Sequence, residues 1–211
     1  MRIIVAGYIV RGPLGGLCWH HLQYVLGLKG LGHEVLYLED SDDFASCYNP
    51  ETFICSTDPV FGLAFLVDLF KLYGLEEQWA YFDAHTNNWH GKTKWEVYDF
   101  IESCDILINI SGVNAVRDWW LKIYNRIFID TDPVFTQIKN LTNTEAMNYC
   151  HFHTQHFTFA ENINSENCTI PEDGITWKIT RQPVIIQIWK EGVQGIGSAW
   201  TTVMQWDSYK E

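Results

Sequence analysis

The stretch that decides the fold is Met1–Asp40, MRIIVAGYIVRGPLGGLCWHHLQYVLGLKGLGHEVLYLED. Arg2–Gly7 is a short run of apolar strand formers, and Gly12, Gly15 and Gly16 make a turn after it. From about Leu17 to Leu31 the apolar residues recur at helical spacing, and Glu34–Leu38 reads as a second strand. A strand that turns over glycines into a helix aims free backbone N–H groups beyond the sheet edge. Those groups and the helix dipole form a ready anion site. The stretch therefore predicts a parallel α/β sheet that meets a phosphorylated ligand at this end.

The helix itself places Cys18, Leu22, Val25 and Leu26 on one face, and Leu17, Tyr24, Leu28 and Leu31 on another. Only His20, Gln23, Gly27 and Gly30 form a polar or small stripe. Such a helix is expected to be covered nearly all round, beside a central strand. His20 belongs to the polar stripe and His21 to the packed side.

Strands alternate with helices further along, which argues for a parallel sheet. Glu39–Asp58 reads as a long polar loop, and a helix follows Pro59 to about Tyr73. Trp79–Asp83 reads as strand, Thr93–Cys104 as helix and Ile106–Ile110 as strand, closed by Ser111 and Gly112. Ala115–Tyr124 reads as helix and Arg126–Asp130 as strand. Phe135–Asn148 then reads as helix and His156–Ala160 as strand. Past Trp177 the texture changes: Ile179–Trp189 is apolar but irregular, Gly192, Gly195 and Gly197 follow, and Trp200–Trp206 is β-prone.

Bulk composition removes several function classes. The 211 residues suffice for one full domain, and 47% of them are apolar. The formal net charge is −12 with no basic run, which argues against general nucleic-acid binding and against adhesion to an anionic membrane. Ten Trp, ten Tyr and twelve Phe fill the core and also suit stacking on apolar ligand faces. Six Cys without a CxxC pair read as small hydrophobes in a reducing compartment, so a cytoplasmic location is expected. No signal peptide or transmembrane segment is read: Arg11 and Gly12 interrupt the first apolar run, and Val60–Leu72 is too short to span a bilayer.

The glycine spacing fits neither the dinucleotide fingerprint nor a P-loop, although Asp40 stands where a ribose-binding acid would. Polar groups gather at four expected strand ends: the Gly15-Gly16 turn, Asn109 and Ser111, Asp130 and Asp132, and Glu161 and Asn162. Ligands of open α/β sheets sit beyond those ends. Asp130 and Asp132 suit either a turn before Pro133 or a general base for a hydroxyl. His151, His153 and His156 form H-x-H-x-x-H without an obvious fourth ligand, and no metal site is assigned to them.

Gly15-Gly16, His20, a periodic helix and then Gly32-His33-Glu34-Val35 entering a strand resembles the amino-terminal domain of GT-B glycosyltransferases. Gly32 follows Gly16 by sixteen positions, which fits that pattern without a gap. Phe128–Pro133, His156–Ile163 and Trp200–Trp206 look similar to segments of a less characterised bacterial group of the same kind. The resemblance implies a Rossmann-like domain over residues 1–180 and a linker over 181–199. Residues 200–211 would start a second domain or fold back as a strand. It implies a nucleotide-diphosphate sugar donor, a hydroxyl acceptor, no cofactor, and a missing C-terminal domain or complementary subunit that holds most of the nucleotide. Gly15, Gly16 and His20 would meet the donor phosphate, Asp130 and Asp132 would serve catalysis, and Asn109, Ser111, Glu161 and Asn162 would line the cleft. Leu17 stands where inverting members usually carry their catalytic histidine. The isolated chain is expected to show little or no turnover. Two alternatives stand beside this reading: a nucleotide- or dinucleotide-dependent Rossmann enzyme using Asp40, and a non-catalytic binding domain.

Overall fold

A computed structural model describes residues 1–191. Within them lies an eight-stranded sheet in the order β10-β9-β8-β7-β1-β2-β5-β6. Its strands are β1 (Arg2–Ala6), β2 (Glu34–Asp40), β5 (Trp79–Asp83), β6 (Asn88–Gly91), β7 (Ile106–Ile110), β8 (Asn125–Asp130), β9 (Gln155–Thr158) and β10 (Trp177–Ile179). Every pairing is parallel except the β5–β6 hairpin at one edge. The chain adds β2 and β5 on one side of β1, then crosses to place β7, β8 and β9 on the other. This is the doubly wound, Rossmann-like order, with its reversal between β1 and β7.

Period-two alternation explains why β1 sits at the centre. Ile3 and Val5 face one layer and Ile4 and Ala6 the other, all four being buried. On the first face they pack with helix α1 (Gly15–Gly30) and helix α2 (Val60–Leu72) through Cys18, Leu22, Val25, Leu66 and Phe70. On the second they pack with helix α3 (Lys94–Glu102) through Val97, Phe100 and Ile101, and with Trp120 and Ile123. Helix α3 starts on a capping box, Thr93 with Glu96, whose hydrogen bonds hold the exposed Glu96 carboxyl down at about 2.

Helix α1 is buried without a break from His21 to Val25. The segment after β10 covers its outer side: the Gln182 side-chain amide donates to the His20 carbonyl, and the Ile185 N–H donates to the Gln23 side chain. Helix α6 (Ile186–Glu191) follows, with Trp189 against Trp19. This covered stretch is the first part of the segment expected as a linker. The rest of that linker and the strand expected at Trp200–Trp206 lie outside the described residues.

Local structure departs from the sequence expectation in five places. The loop Glu39–Asp58 contains a small hairpin, β3 (Cys47–Asn49) with β4 (Ile54–Ser56), after β2 has run on to Asp40. Ala115–Tyr124 is not an α-helix: only Asp118–Lys122 turns, as 3-10, because the residues before it reach back over the strand ends. Phe135–Asn148 divides into α4 (Phe135–Thr142) and α5 (Thr144–His151), since the Asn143 side chain accepts from the Glu145 and Ala146 N–H groups and caps a new helix. Strands β6 and β10 were also not expected. All six cysteines are unpaired, and no helix among the described residues is long and apolar enough to cross a membrane.

Gly62 fixes how closely α2 approaches the loop after β1. A Cβ there would stand 1.8 Å from the Val10 carbonyl oxygen. Gly62→Ala should therefore cost about 3 kcal/mol in urea unfolding. Gly27→Ala, whose Cβ would meet its nearest neighbour at 4.0 Å, should instead stabilise by about 0.5–1 kcal/mol. Equal effects of the two substitutions would contradict this packing.

Candidate functional site

The carboxyl ends of β1, β7 and β8 converge at the sheet's reversal, where open α/β sheets form a crevice. The loop after β1 turns over Gly7, which glycine alone suits: a Cβ there would lie 2.6 Å from Tyr37 and 2.8 Å from His21. The next three buried N–H groups turn inward onto one carboxylate. Ile9 and Val10 donate to Glu39 Oε2 at 2.7 and 2.8 Å, and Arg11 donates to Oε1 at 2.7 Å. The Tyr37 hydroxyl donates to the same carboxylate, and the Arg11 guanidinium lies 3.6 Å away. Burial pushes the Glu39 carboxyl up from its ordinary range, while Arg11 and the hydrogen bonds pull it down.

The second set of amides in the same loop is open. Leu14, Gly15, Gly16 and Leu17 are exposed, no side chain caps α1, and its first turn holds no acid. The Gly15, Gly16 and Leu17 N–H groups have no partner among the described residues. A Cβ at Gly15 or Gly16 would meet nothing within 4 Å. The anion site expected after β1 is thus half closed, by Glu39, and half open, at the helix start.

One turn into α1, His20 reaches the end of β7. Its Nε2 lies 3.3 Å from Ser111 Oγ, which in turn lies 2.6 Å from Thr131 Oγ1 at the end of β8. Burial lowers the His20 imidazole below its usual value, which favours its neutral form. Ser111 holds a left-handed backbone at φ 62°, followed by Gly112 at 61°. A Cβ at Gly112 would press 2.3 Å from the Phe128 ring, so the tight approach requires glycine. Strain of this kind at a strand end is a frequent mark of a binding site. Ser111 and Gly112 also floor a cleft of about 310 Å³ walled by Thr136, Lys139, Asn143 and Tyr149.

The structure separates the residues expected to share this site. Ser111 and His20 come together, and Gly15 and Gly16 open the same helix. Asp130 is buried and saturated: Oδ1 accepts from the Asp132 N–H and the Thr136 hydroxyl, and Oδ2 from Gln137 and the Thr158 hydroxyl. It organises the β8 turn, with all four of its acceptor positions engaged inside the protein. Asp132, two residues on, is exposed and carries no side-chain hydrogen bond among the described residues. Asn109 is fully buried below the rim, donating to the Tyr149 hydroxyl and to His153 Nε2, so it does not line the cleft. Glu161 and Asn162 are exposed beyond β9, where Glu161 pairs with Arg181, and they stand outside the Ser111 cleft.

No protein-family model matches the chain, and no curated protein does. Among solved structures it is similar to an alpha-glucosyltransferase in complex with UDP and a 13-mer DNA containing a central A:G mismatch, at 15% identity and a TM-score of 0.44. That likeness covers 90% of this chain and 42% of the other, so the chain spans less than half of that protein's length.

Several residues that build the site gave no signal in the sequence. Asn114 donates to the Gly7 carbonyl and accepts from the Asp40 N–H, so the loop after β7 is stitched across the ends of β1 and β2. Arg117 clamps the Asp40 carboxylate with two hydrogen bonds of 2.8 Å. An Asp40 held in this way is not free for a ribose. The three histidines of H-x-H-x-x-H diverge: His153 Nε2 meets Asn109, His156 Nε2 meets the Cys150 carbonyl, and His151 is exposed. No group of three metal-ligating side chains gathers among the described residues.

Burial lowers His21 to about 3 and His153 to about 4, and lowers His20 and His156 as well. The folded state therefore binds fewer protons than the unfolded chain just below pH 6.5, and the stability these groups give above that pH is lost as pH falls. The raised Glu39 carboxyl opposes this with a single group. Urea unfolding should show stability rising from pH 5 to 6.5; a flat or falling profile would contradict the buried neutral imidazoles. Asp130→Ala should cost about 2–4 kcal/mol in the same assay, because it strands buried donors.

Proposed function

We propose that this domain is the acceptor-side, Rossmann-like half of a GT-B-type glycosyltransferase. Such an enzyme moves a sugar from a nucleotide-diphosphate donor to a hydroxyl acceptor. The single observation that carries the reading is the His20–Ser111–Thr131 chain of hydrogen bonds beside the open start of α1, at the sheet's reversal. The resemblance of Gly15-Gly16…Gly32-His33-Glu34-Val35 to the amino-terminal pattern of that family supports it.

In this reading the Gly15, Gly16 and Leu17 amides receive one phosphate of the donor. His20 is neutral and serves as a hydrogen-bond partner there. Ser111 and the cleft beneath it receive hydroxyl groups, with Thr136, Asn143 and the Tyr149 ring on the walls. Asp132, exposed in the turn after β8, is a carboxylate that suits a general base or a sugar-hydroxyl clamp. The β3–β4 hairpin and α2 shape the acceptor side, since Phe53, Ile54 and Val60 are exposed there and Gly62 seats α2 against the β1 loop. In enzymes of the kind this chain resembles, a second domain supplies most of the nucleotide grip. The saturated Asp40 weighs against the dinucleotide alternative.

Two-dimensional amide NMR tests the reading. Titration with UDP-glucose together with a simple alkyl glycoside should move the Gly15–Leu17, His20 and Ser111 signals, and Ser111→Ala should weaken the glycoside response about tenfold. NADH should move none of them. A response to NADH, or a glycoside response confined to other parts of the chain, would overturn the proposal.

A further inference from the structure

The loop between β1 and α1 has the form of an anion receptor that is already full. Three successive backbone N–H groups, Ile9, Val10 and Arg11, converge on one point, an arrangement that ordinarily cradles a phosphate or other oxyanion. A cation stands beside them: the Arg11 guanidinium, buried, stacked over the Tyr8 ring at 4.5 Å and tied to the Val113 carbonyl. The Tyr37 hydroxyl completes the shell. The occupant is Glu39, fully buried, from the end of the neighbouring strand. Asp42 adds a second carboxylate 3.8 Å from Arg11 on the solvent side.

We infer that Glu39 is a built-in anion that occupies the oxyanion position formed by the Ile9, Val10 and Arg11 amides, and that it makes this part of the crevice select an uncharged acceptor over a phosphorylated one. The geometry alone carries the occupation. The consequence for ligand choice, an acceptor without phosphate, rests on the sugar-transfer reading.

Two carboxylates around one guanidinium leave no net positive charge for an incoming phosphate, and the three amides have no free hydrogen to offer it. Removing the Glu39 carboxylate reverses both conditions. It frees the Val10 and Arg11 N–H groups, leaves the Ile9 N–H only the Tyr37 oxygen, and deprives Arg11 of its closest counter-ion, a state that a small anion would relieve. The vacated position is the size of a carboxylate, so formate, acetate and inorganic phosphate are the natural probes.

The test is chemical rescue. Wild-type protein titrated with inorganic phosphate should show no shift of the Ile9, Val10 and Arg11 amide signals. Glu39→Ala should be markedly less stable, and its melting temperature should climb with added formate or phosphate at constant ionic strength, while the wild-type value stays level. The same three amides should move in that variant. Glu39→Gln keeps the size but not the charge and should respond to phosphate less than Glu39→Ala. Phosphate shifts at these amides in the wild type would overturn the inference, as would a Glu39→Ala variant that melts identically with and without anions. Should neither variant fold, the wild-type titration decides alone. Failure of the glycoside and UDP-glucose titration would leave these shifts and melting temperatures unchanged, so the two readings fail separately.

Discussion

Glu39 is the constraint on which the rim depends. Its carboxylate is wholly buried, and it is tolerable there only because three amides, a phenol and a guanidinium surround it. Those bonds fix the loop from Ile9 to Arg11, and the loop fixes where α1 begins. Arg11 then hands the constraint on, through Val113, to the loop after β7, which Asn114 pins across β1 and β2. The position of Ser111 beneath His20 is the outcome of that chain of contacts. The site therefore rests on a buried polar network, where each satisfied group holds the next in place.

The frame of the fold was legible because its signals are local and repetitive. The apolar run of β1, the glycines after it, the periodicity of α1 and the run Glu34–Leu38 place strand, turn, helix and strand without help from tertiary contacts. The same holds for β5, β7 and β8. Elements set by distant partners were not legible. Ala115–Tyr124 has helical composition, yet Asn114 and Arg117 leave the helical path to bond β1, β2 and Asp40. Phe135–Asn148 has the spacing of one helix, yet Asn143 prefers to cap a second. Asn at that position was the available sign.

The site was legible only in outline. Gathering polar groups at strand ends singled out Ser111, which the structure sets 3.3 Å from His20, but it could not tell an accessible group from a saturated one. Asp130 and Asp132 differ by two positions, and in an extended turn those two positions separate a buried strut from an exposed carboxylate. Asn109 alternates with Ile108 and Ile110 along β7, and its amide serves Tyr149 and His153 instead of a ligand. Glu39 and Asp40, adjacent acids at the end of β2, gave no hint that both would be consumed internally, one by amides and one by Arg117.

The most direct test of this account is residue-resolved hydrogen exchange across the β1–α1 loop. Protection follows the hydrogen bond, so the account predicts Ile9, Val10 and Arg11 amides that exchange as slowly as the centre of β1. Gly15, Gly16 and Leu17, a few residues away, should exchange near the rate of an open chain. Fast exchange at Ile9–Arg11, or protection at Gly15–Leu17 equal to theirs, would contradict a loop with one filled and one open set of amides.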